Sequence, residues 1–257
     1  MVVLEVCANS IASALAAQEG GAVRVELCDN LYAGGTTPSP GQITVARKLL
    51  NIQLYVLIRP RGADFLYSDV EFDTMIADVQ YCIDAKCDGI VTGILNADGT
   101  VDKERNRILV EMAKKAGLGA TFHRAFDMCA DYTQALEDVI ELGYERILTS
   151  GGKSTAIEGA RVIADLVKRA DGRITIMAGS GLTEINAADL VIFTGVSEIH
   201  GTLQSRVQSK MQFANDHIVM GSTIGDEYAI DVTDAERVKA TIAKANEGIA
   251  SSSTHIS

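Results

Sequence analysis

Eight short runs rich in β-branched and aliphatic residues punctuate this chain. Each is separated from the next by enough residues for one helix and two turns. The runs are Val2–Val6, Val23–Leu27, Gln53–Ile58, Gly89–Thr92, Gly119–Phe122, Arg146–Thr149, Ile174–Ala178 and Glu198–His200. Strands alternating with helical patterns predict βα units and a parallel sheet. Open doubly wound sheets usually have fewer strands, so the expected fold is a single (β/α)8 barrel over residues 1–247. The length, 257 residues, is that of one such domain. Residues 248–257 are small and polar and read as a frayed tail. Asn9 or Ser10 is placed to cap the first helix and Gly20–Gly21 to end it, while Asp131 and Gly143 bracket YTQALEDVIEL. Two segments break the repeat. Leu31–Gly41 (LYAGGTTPSPG) follows the second strand. Gly201–Ile230 is a long, irregular-looking loop after the eighth, before a last helix near Thr233–Glu247. Both follow strand C-termini, the face on which barrel active sites form.

A formal charge of −11 repels a phosphate backbone, so nucleic acid is not an expected partner. No apolar run approaches the roughly 18 residues of a membrane span. The start, MVVLEVCANS, lacks a basic segment and carries Glu5 in its first apolar stretch, unlike a secretory signal. Cys7, Cys28, Cys82, Cys87 and Cys129 are odd in number and contain no CxxC. That usage predicts free thiols and a cytosolic protein. On a continuous helix Cys82 and Cys87 would stand roughly 140° apart, so no pairing is expected between them.

Strand residues alternate faces, so Glu5 and Cys7 point one way and Glu26 and Cys28 do likewise on the neighbouring strand. LEVC and VELC then place two thiols at matching heights about 4.8 Å apart. Such a pair suits soft, low-coordinate Cu(I), although two small cysteines also simply pack a barrel interior. Glu5 and Glu26 need partners inside apolar strands. Arg24, Arg59, Arg61, His123 and Arg124 could supply them. The result is either a structural ion-pair network or a site in which Glu5, Glu26, Arg59 and His123 act on a small anion. Arg61, after the third strand, could help hold that anion by its charge, and Ser150 and Gly151 after the sixth strand and Gly179, Ser180 and Gly181 after the seventh could bind it through backbone N–H groups. The alternative is two tight turns. His200 reads more readily as a core histidine bonded to backbone than as a site residue. Met211 and Met220 are soft ligands or gap-fillers.

The motifs LEVC, RVELCDNL, GGTTPSPG, IRPRGADFLYSD, TFHRAFDM, RILTSG and IMAGSG, in this order, resemble the CutC copper-homeostasis family from about Met1 to Glu247. The resemblance implies a TIM-type barrel, a cytosolic location with a nuclear pool besides, self-association into a homo-oligomer, and Cu(I) binding through Cys7 and Cys28. Three positions depart from the family pattern: Ala63 and Ser180 stand for glycines and Gly201 for serine. Ala63 is the departure of consequence, because Ala cannot enter Gly-only backbone angles. The expected function is therefore copper homeostasis. A barrel enzyme acting on a small anion, phosphorylated or not, is the alternative, and a barrel serving a protein–protein contact is a third reading.

Overall fold

The computed structural model describes residues 1–215, 217–218 and 227–253. Eight parallel strands close into a barrel: β1 (Val3–Ala8), β2 (Arg24–Leu27), β3 (Gln53–Leu57), β4 (Gly89–Thr92), β5 (Gly119–Phe122), β6 (Arg146–Thr149), β7 (Thr175–Gly179) and β8 (Glu198–Gly201). Seven helices alternate with them, α1 (Ile11–Glu19), α2 (Pro40–Leu49), α3 (Asp69–Asp84), α4 (Lys103–Lys115), α5 (Tyr132–Leu142), α6 (Ala160–Ala170) and α7 (Ala187–Thr194), and α8 (Ala235–Ser253) follows the last strand. The expected (β/α)8 barrel is the observed fold. The strands are buried on both faces, as a parallel sheet covered by helices requires. Ser10 caps α1 through Ser13 N, Asp131 caps α5, and Gly143 ends α5 at φ 82°.

Two expectations change. The segment after β8 is not irregular throughout: β9 (Gln204–Gln208) pairs antiparallel with β10 (Ala229–Thr233). The last helix begins at Ala235 and runs to Ser253, past the Glu247 end expected for it. This helix lies against α7 and α1. Gly20 permits the approach, since a Cβ there would stand 2.6 Å from the Ala235 carbonyl oxygen and 2.5 Å from Val238 Cβ.

Register decides what the barrel interior holds. β1 and β2 align Glu5 with Arg24 and Cys7 with Glu26, while β1 and β8 align Glu5 with His200. Arg24 is 2% exposed and ion-pairs with both Glu5 and Glu198. Its guanidinium and that of Arg146 lie 5.2 and 5.3 Å from the Tyr55 ring centroid. This charged layer lies inside the barrel toward the strand N-termini, since Arg24, Arg146 and Glu198 each begin their strand. Above it, toward the strand C-termini, lies the mouth.

Candidate functional site

Cys7 and Cys28 meet at the mouth, with their sulfurs 3.4 Å apart. They do not meet at matching heights. Cys7 is level with Glu26, and Cys28 lies just beyond the end of β2, its N–H bonded to the Ala8 carbonyl. The stagger that closes the barrel brings the thiols together diagonally. Both are reduced. The contact with Cys28, then burial, then the charge of Glu26 push the Cys7 thiol well above its ordinary pKa.

His200 completes the group. Its Nδ1 lies 2.8 Å from Glu5 Oε1 and its Nε2 3.4 Å from Glu26 Oε2. Ligand atoms of Cys7, Glu26 and His200 all lie within 4.8 Å of one another. The expectation of a backbone-bonded core histidine is corrected: His200 is buried at the heart of the site. Burial opposes its charge, but Cys7, Glu5 and Glu26 outweigh burial and raise its pKa well above the usual range. Burial would raise Glu5 too, but Arg24 and His200 hold it down at about 2. Glu26 rises to about 7, chiefly from burial and with help from the charge of Glu5. Around neutral pH the arrangement is a carboxylate, an imidazolium and a carboxyl near its titration point, touching a thiol.

A cavity of about 110 Å³ opens beside these groups, lined by Cys7, Glu26 and His200 on one side and by Arg59, Phe65 and His123 on another. A wider depression of about 650 Å³ continues outward past Arg124, Ser180, Gly181 and Arg237. Gly93 makes room for the His123 ring, because a Cβ there would stand 2.8 Å from it.

The CutC family model matches residues 2–205. A CutC family protein of Chromobacterium violaceum is 49% identical over 93% of this chain and 96% of its own length. Another, from Xylella fastidiosa, is 48% identical over 95% of this chain and 89% of its own. The chain belongs to the CutC family. The crystal structure of the putative copper homeostasis protein CutC from Streptococcus agalactiae is similar, with a TM-score of 0.75, 37% identity, and coverage of 79% of this chain and 99% of that one. A thiamine phosphate pyrophosphorylase from Pyrococcus furiosus, 14% identical with a TM-score of 0.58, shares the fold alone.

The remaining positions singled out in this CutC chain fall into four groups. Arg61 is outside the cavity: it pairs with Glu71 and Asp64 and lies over Tyr67. Ser150 and Gly151 are not free to hold a ligand through their N–H groups. Asp127 accepts from Ser150 N and Gly152 N, at 3.0 Å each, and Gly151 N donates to Thr149 Oγ1. A carboxylate of the chain itself occupies the place expected for phosphate. Gly179 is a packing position, since a Cβ there would lie 2.6 Å from Leu148 Cδ1. Ser180 and Gly181 remain on the wall of the wider depression.

Ala63 does adopt a left-handed backbone, at φ 67°, where a glycine was expected to be needed. The Cys82 and Cys87 thiols do interact, against expectation, because α3 ends at Asp84 and Lys86 turns at φ 58°; the contact with Cys87 and burial push the Cys82 thiol up. Met211 is 66% exposed, and Met220 lies outside the described residues. A shallow apolar groove on α6 and α7, lined by Ile157, Leu190 and Phe193, is the nearest match to the interaction-surface reading.

Sequence alternation could have found His200. Glu198 and His200 share one face of β8, and Glu198 meets the inward Arg24. No comparable signal marks Gly93, whose role depends on a ring thirty positions away in sequence.

Proposed function

We propose that this chain binds Cu(I) as cargo at the barrel mouth, with Cys7 and Cys28 as the sulfur ligands. The observation that carries the reading is the contact of two reduced thiols at 3.4 Å. Two soft thiolates in contact select Cu(I) over harder divalent ions. The description of the Streptococcus agalactiae relative as a putative copper homeostasis protein agrees with it. His200 and Glu26 stand within reach of the Cys7 sulfur. The free cysteines suit a reducing compartment such as the cytosol.

Binding requires thiolates, and Cys7 resists losing its proton. Copper uptake therefore releases protons, and affinity rises with pH. Mass spectrometry of the Cu(I)-loaded chain is expected to show copper bound to the wild type and lost from Cys7→Ser/Cys28→Ser. Unchanged stoichiometry in the double variant would overturn the ligand assignment.

A further inference from the structure

One wall of the mouth cavity carries polar groups that the copper ligands do not use. Arg59 and His123 are 5% and 4% exposed. The Arg59 guanidinium donates to the carbonyls of Ala33, Gly35 and Ala63, at 2.9, 2.7 and 2.7 Å. It also lies 5.0 Å from the Phe65 ring centroid. Among the described residues, no carboxylate pairs with it. Its Nε has no acceptor. His123 also stands against Phe65, with ring centroids 4.9 Å apart. Its Nδ1 accepts from the Ala125 N–H at 3.1 Å, which leaves the ring proton on Nε2. That Nε2 is buried and has no partner.

Carbonyl oxygens solvate a guanidinium but do not neutralise it. A desolvated cation without a counter-ion, and a buried donor without an acceptor, are both costly. Both residues line one cavity, and the two unpartnered nitrogens lie buried just behind its surface. An anion placed there would relieve them together.

The size and lining of the cavity limit the anion. At roughly 30 Å³ per water, 110 Å³ holds the volume of about four waters. Leu57, Phe65 and Leu148 make part of the lining apolar. Glu26 stands on the far wall, so the negative end of a ligand would turn toward Arg59. We infer that the cavity binds a short-chain monocarboxylate, its carboxylate accepting the His123 Nε2 proton beside Arg59 and its hydrocarbon body resting on Leu57, Phe65 and Leu148. Burial and the charge of Arg59 hold His123 neutral, with its pKa lowered to about 3, so the imidazole keeps a single ring donor. Inorganic phosphate offers no apolar body and fits this lining less well.

Calorimetric titration of the full chain with propionate tests the assignment, with propionamide as its neutral counterpart and inorganic phosphate as the competing anion. Saturable one-to-one binding of propionate is expected, with none of propionamide over the same range. His123→Phe keeps a ring and removes the donor, and it is expected to weaken propionate about tenfold or more. The His123 Nε2 nitrogen resonance of the wild type is expected to shift on addition, which keeps a test available if the variant fails to fold. Absence of saturable propionate binding, equal binding of propionamide, tighter binding of phosphate, unchanged affinity in His123→Phe, or a static Nε2 resonance would each overturn it. The titration uses metal-free chain and reads propionate alone, so failure of this site and failure of the copper reading are distinguishable.

Discussion

His123 shows how one buried side chain can set the acid limit of a fold. A histidine in the unfolded chain takes its proton near 6.5, whereas in the folded chain this one waits until about 3. Between those values the unfolded state binds the extra proton, so stability falls as pH drops. The full window is worth roughly 4–5 kcal/mol. Glu5 adds to the loss further down. It is held at about 2 rather than 4.5, so its contribution is present above 4.5 and disappears as pH falls toward 2. Urea unfolding across the range from about pH 6.5 to about pH 4 is expected to show a shallower acid slope in His123→Phe than in the wild type. Equal slopes would mean that His123 titrates normally. Ala63 sits at φ 67° with its carbonyl turned to Arg59. A left-handed Ala costs roughly 1–2 kcal/mol, partly offset because Gly has more freedom to lose on folding. Ala63→Gly is expected to gain up to about 1 kcal/mol, read as a rise in Tm of about 2 °C. A fall would refute the strain.

Between elements, charge does what apolar packing does elsewhere. Arg24 on β2 ties β1 to β8 through Glu5 and Glu198. Arg24→Ala would take one cationic partner from each of two inward carboxylates, leaving Glu5 to His200 and Glu198 to Arg146, and is expected to cost about 3 kcal/mol in chemical denaturation. A loss below about 1 kcal/mol would show that water reaches the pair. Asp127, after β5, gathers Thr149 Oγ1, Ser150 N, Ser150 Oγ and Gly152 N from the loop after β6, and pairs with Arg124. The glycines of that loop therefore shape a turn around an internal anion. TFHRAFD and TSGG look like separate motifs in the sequence, and nothing in either says that one occupies the other.

At the scale of the molecule, α8 secures the barrel at the start of β1. Asn246 accepts from Val2 N at 2.9 Å and donates to Val2 O at 3.1 Å, joining the two ends of the chain. Asn246→Ala is expected to lose about 1–3 kcal/mol by thermal unfolding, because Val2 is buried and both of its backbone groups would lose their partner. An unchanged Tm would show that water replaces them.

The period of the apolar runs determined the barrel, because eight buried strands with intervening helices have few other ways to close. Alternation within β1 and β2 put Glu5, Cys7, Glu26 and Cys28 inside it, since side-chain direction in a strand depends on position alone. Only the tertiary structure decided which of these groups touch. Barrel stagger set Cys7 against Cys28 and turned His200 between two carboxylates. Packing left Arg59 and His123 unpaired on one wall and sent Arg61 to the outside. Partnership across eight strands is a matter of register and closure, and no local pattern encodes it.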